Sequence, residues 1–182
     1  MHLNEIMIKT EEIYDGKIFK VTRDTVLLEN KNNAIREVVH HSGGVCVVPI
    51  TDNNEVILVK QFRYPFQEAI LEIPAGKLNP NENHYECGLR ELLEETGAVP
   101  NVYSYLGTAY PTPAYVTEKI HIYLAKGLTF KEQKLDDDEF LDVIRIPFDE
   151  AINLVMDNKI CDAKTQIALL KTYILTREQP VK

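Results

Sequence analysis

Glu91, Glu94 and Glu95 stand at i, i+3 and i+4 inside the run GKLNPNENHYECGLRELLEETGA, Gly76 to Ala98. On a helix these offsets place three carboxylates on one face. Like charges at that spacing repel unless solvent or a bound cation relieves them. Taken alone, an E-x-x-E-E spacing describes a solvated acidic face. The residues just before it, Ile73-Pro74-Ala75-Gly76, change the balance, because they read as a strand end and loop whose backbone carbonyls add further oxygen donors. An oxygen-only donor set suits a hard cation, Mg²⁺ or Mn²⁺, which keeps some waters and takes phosphate oxygens as its remaining ligands.

The element that must carry these acids is an amphipathic helix. Leu89, Leu92 and Leu93, with Tyr85 a turn earlier, predict an apolar stripe on the side opposite the carboxylates. Asn81 and Asn83 are both candidate N-caps, and Gly97 is placed to end the helix in a left-handed turn. Arg90, between Glu86 and Glu94, has acids one turn away on either side.

With the spacing laid out, the segment resembles the Nudix box, the loop-helix signature of hydrolases that cleave a nucleoside diphosphate linked to another moiety. Gly76, Glu82, Arg90, Glu91, Leu92, Glu94, Glu95, Gly97 and the apolar Ala98 occupy its fixed positions. The flanks, Val59-Lys60-Gln61-Phe62-Arg63-Tyr64-Pro65 and Leu71-Glu72-Ile73-Pro74-Ala75-Gly76, look like the branch that hydrolyses ADP-ribose and nucleotide sugars. Downstream, Tyr110-Pro111-Thr112-Pro113-Ala114-Tyr115 resembles that branch's Ser-Pro-Gly loop, with Thr112 and Ala114 in place of Ser and Gly. Asp136 to Val143 and the closing Asp162-Ala163-Lys164-Thr165 fit as well. The likeness covers nearly the whole chain after about Lys17.

The resemblance implies an α/β/α sandwich with a mixed sheet, and divalent-metal hydrolysis of ADP-ribose to AMP and ribose 5-phosphate. It implies metal ligands in Glu91, Glu94, Glu95 and the carbonyl of Ala75, and an ion pair between Glu82 and Arg90 that braces the loop. The general base maps to the Asp136 to Glu139 loop, with Glu139 as base or ligand, Asp137 as its rival, and the box carboxylate Glu94 as a third catalytic candidate. Substrate contacts map to Arg63 for a phosphate, Glu118 for a ribose or sugar hydroxyl, Pro113 for pocket shape and Glu37, with Arg36, for the base. Tyr14, Phe19, Tyr64 and Tyr115 are candidates for stacking, each also readable as core or rim. His40 and His41 end a strand before Gly43-Gly44 and read as exposed residues without a catalytic or metal-binding role.

Length and composition agree with a compact α/β enzyme. The 182 residues with 45% apolar content suffice for one core. A net charge of −8 argues against non-specific nucleic-acid binding, which requires a basic face. Cys46, Cys87 and Cys161 form no C-x-x-C pair and read as thiols of a reducing compartment. The Met-His-Leu-Asn-Glu start shows no signal peptide, and no apolar run approaches the roughly 18 residues of a membrane span. The expectation is a cytoplasmic enzyme whose partner is a small nucleoside diphosphate sugar, with neither nucleic acid nor membrane.

Residues 1–42 read as an N-terminal β unit, antiparallel from about Thr10 to His41 with strands at Ile18–Leu28 and Ile35–His41, and 43–182 as the hydrolase domain. A unit that small needs a surface to pack on. In the family this region exchanges across a homodimer, which implies a dimer here. Strands are predicted at Val45–Ile50, Val56–Arg63, Ile70–Ile73, Tyr103–Ala109, Lys119–Ala125 and Phe140–Pro147, and helices at Phe148–Asp157 and Ala163–Leu175. Two other functions stay open beside the first: the same chemistry on a GDP- or UDP-linked hexose, and a non-catalytic Nudix-like ligand sensor.

Overall fold

The computed structural model describes residues 2–135 and 139–177. The chain divides into two compact units, one of residues 1–43 with 110–119, the other of 44–109 with 120–182.

The first unit is a three-stranded antiparallel meander of β1 (Ile6–Asp15), β2 (Phe19–Leu27) and β3 (Asn33–His41). The sequence marks two strands in this unit, and β1 is a third that it does not mark. Every one of its residues is exposed, and irregularities between Met7 and Lys9 and between Glu12 and Tyr14 break its register. With neither face buried, no two-residue alternation marks it. Residues 112–117 lie against β3: Val39 N–H donates to Tyr115 O (2.8 Å) and Thr117 N–H to Val39 O (2.9 Å).

The second unit holds the remaining strands. A four-stranded sheet runs in the order β7 (Ala75–Lys77), β4 (Gly44–Pro49), β9 (Ile120–Phe130), β8 (Ala98–Ala109), with β4 and β9 parallel. A three-stranded antiparallel sheet runs β10 (Leu141–Pro147), β5 (Glu55–Arg63), β6 (Glu68–Glu72). All six residues of β4 are buried, which explains the unbroken apolar run Val45-Cys46-Val47-Val48. Val45 and Val47 join Ile57, Tyr123 and Leu92 of α1 (His84–Thr96) in one core. Cys46 and Val48 join Leu58, Ile122 and residues of α2 (Phe148–Met156) and α3 (Ala163–Arg177) in another. Alternation along a central strand thus feeds two cores, and the unit is the expected mixed-sheet α/β/α sandwich.

β8 starts five residues earlier than predicted, because Pro100 inside it reads as a strand breaker yet pairs with Leu128. β9 runs past Ala125 through Gly127, which sits at φ +61°. β7 is too short to leave a pattern. No helix among the described residues is long and apolar enough to cross a membrane.

One core detail yields a direct test. Tyr103 stacks on Tyr123 (4.3 Å between ring centres, 4° between planes), and its hydroxyl is buried without a hydrogen-bond partner among the described residues. That hydroxyl fills the space where Gly88 lacks a Cβ. Burying an unpaired hydroxyl costs about 1–3 kcal/mol. Tyr103→Phe should therefore raise the melting temperature by about 2–4 °C, and a lower melting temperature would show that the hydroxyl is satisfied in solution.

Candidate active site

Helix α1 starts at Asn83, whose side chain accepts from Tyr85 N–H (2.8 Å), while Asn81 lies outside the helix at φ +63°. It ends at Gly97, at φ +71°, with the Gly97 N–H on Leu93 O (2.8 Å). The helix does not present an acidic face to solvent opposite an apolar one. Its buried face carries Cys87, Gly88, Glu91, Leu92, Glu95 and Thr96 together, and Tyr85 is largely exposed. Two of the three box carboxylates therefore lie inside, with Glu95 only 2% exposed.

Each acid has an identifiable neighbour. Glu95 accepts from Ala75 N–H (3.0 Å), which ties this carboxylate to the strand that precedes the helix. Arg90 donates from Nη1 to Glu91 (2.8 Å) and Glu94 (2.9 Å), and from Nε and Nη2 to Glu82 (2.8 and 3.0 Å). The expected Glu82–Arg90 brace is present. Glu82 also accepts from Asn79 N–H (2.9 Å), and these bonds, that of Arg90 foremost, hold its carboxyl down at about 2. Gly76 leaves the room that Glu91 occupies: a Cβ there would overlap the Glu91 carboxylate.

The electrostatics run the other way deeper in. Burial pushes Glu91 up to about 7, with Glu94 and Glu139 adding repulsion against the pull of Arg90. Burial pushes Glu95 up to about 8, and Glu91 and Glu139 add to it. One guanidinium is divided among Glu82, Glu91 and Glu94, so the buried pair is undercompensated. That surplus of buried oxygen charge fits a hard divalent cation. Among the described residues, no three carboxylate, imidazole or thiol groups already converge on a point that would hold one ion.

Glu139 belongs to the segment that follows β9. Lys131 N–H bonds Gly97 O (2.8 Å), Lys134 N–H bonds Glu94 O (3.1 Å) and the Gln133 amide bonds Glu95 O (2.5 Å). These bonds satisfy the last carbonyls of the turn that carries the acids. Glu139 is half-buried, and it lines a cavity of about 530 Å³ with Lys60, Phe62 and Phe140. Asp137, with Asp136 and Asp138, lies outside the described residues.

Arg63, at the end of β5, is held by Glu72: Nε to Oε1 at 2.5 Å and Nη2 to Oε2 at 2.9 Å. Glu72 is 1% exposed and also pairs with Lys164. The sequence places Glu72 and Lys164 inside matched segments, but only the fold shows that they meet. A carboxylate flanked by Leu71 and Ile73 at a strand end is the signal that marks Glu72 as paired.

The remaining candidates belong to the N-terminal unit. Glu37 and Arg36 line a cavity of about 550 Å³ with Ala114 and Tyr115, and Glu37 is mostly exposed near Arg23 (4.0 Å). Pro113 is exposed in the turn closed by Val116 N–H on Thr112 O (3.1 Å). Glu118 lies 3.4 Å from His41 Nδ1, which accepts from Gly43 N–H (3.0 Å). His40 and His41 end β3 as expected, but His41 is partly buried rather than exposed.

Comparison with known proteins gives a concordant picture. Residues 40–166 match the NUDIX domain. The chain is 42% identical over 167 residues to a methanol dehydrogenase activator of Bacillus methanolicus, covering 91% of this chain and 90% of that protein. It is 39% identical over 169 residues to an ADP-ribose pyrophosphatase of Bacillus subtilis, covering 92% and 91%. A crystal structure of an ADP compounds hydrolase shares the fold, with a TM-score of 0.84, 23% identity and 97% of each chain covered.

Proposed function

We propose that this chain, which belongs to the Nudix family of hydrolases, cleaves the pyrophosphate bond of ADP-ribose to give AMP and ribose 5-phosphate. The observation that carries the reading is the buried, undercompensated Glu91–Glu95 pair one loop away from Arg63. Nudix hydrolases need a divalent metal ion. Here Mg²⁺, or Mn²⁺, would be held by Glu91, Glu94 and Glu95 with Glu139 and the carbonyl of Ala75. When bound, such an ion disperses phosphate charge and acidifies its water.

The chain's own groups do the rest. Arg63 commits Nε and Nη2 to Glu72 and offers Nη1 to a phosphate oxygen. Glu139, beside the box acids, takes the proton of the water that attacks phosphorus, with Asp137 as the alternative from the same loop. Glu94, the most accessible of the three box carboxylates, completes the catalytic set. The anhydride bond breaks, and the leaving phosphate carries its oxygen away, so catalysis rests on positioning and charge. Glu37, Pro113 and Glu118 contribute base and sugar contacts. The free thiols support a cytoplasmic enzyme. The exposed Ile6, Met7 and Ile8 of β1 support assembly as a homodimer.

A substrate panel decides the matter. ADP-ribose, GDP-mannose, UDP-glucose, diadenosine polyphosphates and nucleoside triphosphates should be assayed with Mg²⁺ and with Mn²⁺. ADP-ribose should show the highest kcat/KM. A GDP- or UDP-hexose preference would move the assignment to the rival sugar, and no turnover with tight binding would favour a sensor.

A further inference from the structure

The first turn of α3 reaches the site from a part of the chain far beyond the box. Lys164 is 17% exposed and pairs with Glu72 and with Asp162 (3.0 Å). Burial works against its ammonium, but the Glu72 and Asp162 carboxylates outweigh that and hold it charged. Glu72 is thereby shared between Lys164 and Arg63, and the four groups alternate in sign: Asp162, Lys164, Glu72, Arg63. Asp162 accepts from Thr165 N–H (2.9 Å) and from its hydroxyl (2.5 Å), and Thr165 Oγ1 accepts from Ile73 N–H (3.0 Å).

The same short turn therefore grips two consecutive residues, Glu72 by its carboxylate and Ile73 by its amide. Pro74 is held next through its carbonyl, which accepts from Val47 N–H (2.9 Å), and Ala75 donates to Glu95 (3.0 Å). Every residue from Glu72 to Ala75 is tied to a different neighbour, and the last tie is to a box carboxylate.

We propose that Lys164 is a positioning residue for the diphosphate-cleaving reaction. By sharing Glu72 it fixes the orientation of the Arg63 guanidinium and keeps its Nη1 edge available to the substrate. The inference rests on the proposed pyrophosphatase function for its kinetic arm only. Without Lys164, the Glu72 charge falls on Arg63 alone, and the Arg63–Glu72 pair is free to rotate as a unit. A merely structural lysine would affect folding but not where Arg63 points.

The test has two independent readouts on the full chain. In ¹⁵N NMR of the metal-free protein, the Arg63 Nε–H signal should be sharp and slowly exchanging. It should broaden or shift in Lys164→Met and recover in Lys164→Arg. In ADP-ribose turnover, Lys164→Met should lower kcat/KM by about 10²-fold, with no further loss when combined with Arg63→Ala. If Lys164→Met folds poorly, the charge-balanced Asp162→Asn/Lys164→Gln variant, which keeps the helix cap, replaces it in both arms. An unchanged Arg63 signal, or fully additive kinetic losses, would overturn the positioning role. A wild-type enzyme inactive on ADP-ribose would instead defeat the substrate assignment, and the NMR arm would still decide the role of Lys164.

Discussion

Glu95→Gln will lower turnover by about 10²–10³-fold while raising the melting temperature of the metal-free protein. The two effects have one origin. Gln keeps the acceptor that Ala75 N–H requires but removes a charge that burial and Glu91 oppose. A glutamate in the unfolded chain titrates near its ordinary value of 4.5, and burial pushes Glu95 in the folded chain up to about 8. Between those values the folded state binds more protons than the unfolded one. Stability of metal-free wild type therefore falls as pH rises through that window. The variant should show a flatter profile, and near pH 8 it should melt about 5 °C higher, the equivalent of roughly 2 kcal/mol. Melting curves in chelator at pH 5 and pH 8, with turnover measured in parallel, provide the check. A wild type that gains stability towards pH 8, or a variant with normal rates, would contradict the charge assignment.

Gly76→Ala should cost activity on a similar scale, about 10²-fold, for a reason unrelated to charge. Gly76 lies outside the left-handed region of backbone space, so alanine introduces no conformational strain. Its methyl would instead occupy the position of the Glu91 carboxylate, which Arg90 holds at 2.8 Å. The carboxylate must swing away, and the small strain left behind should lower stability by no more than about 1–2 kcal/mol. Shortening the displaced side chain tests this: Gly76→Ala/Glu91→Asp should recover part of the lost kcat. Full activity in Gly76→Ala would show that Glu91 is free to move without penalty.

Much of this site was legible before any coordinates. The run from Gly76 to Ala98 fixed the helix, its glycine stop and the Glu82–Arg90 brace, because these depend on contacts within one short segment. What the pattern misjudged was the direction in which the helix faces. Leu89, Leu92 and Leu93 suggest a core side opposite the acids, yet Glu91 and Glu95 share the buried side with Leu92. Periodicity assumes that charge seeks water, and a site that concentrates buried carboxylates violates the assumption. The Glu72–Lys164 pair was hidden for another reason: its partners are 92 positions apart, and local spacing carries no trace of their meeting. β1 went unseen because a strand bare on both faces has no periodicity to read.

The parallel seam between β4 and β9 bears on how the chain is made. It sets Gly44 beside Ile120, so β4, which pairs with β7 on one edge, emerges from the ribosome long before the strand on its other edge. Short-range hairpins cannot supply that neighbour, and the intervening chain detours through residues 110–119 of the other unit before returning. During translation the nascent polypeptide must carry Val45 to Val48 with that edge unpaired, a natural handle for chaperones and a natural seed for aggregation if synthesis stalls before residue 125.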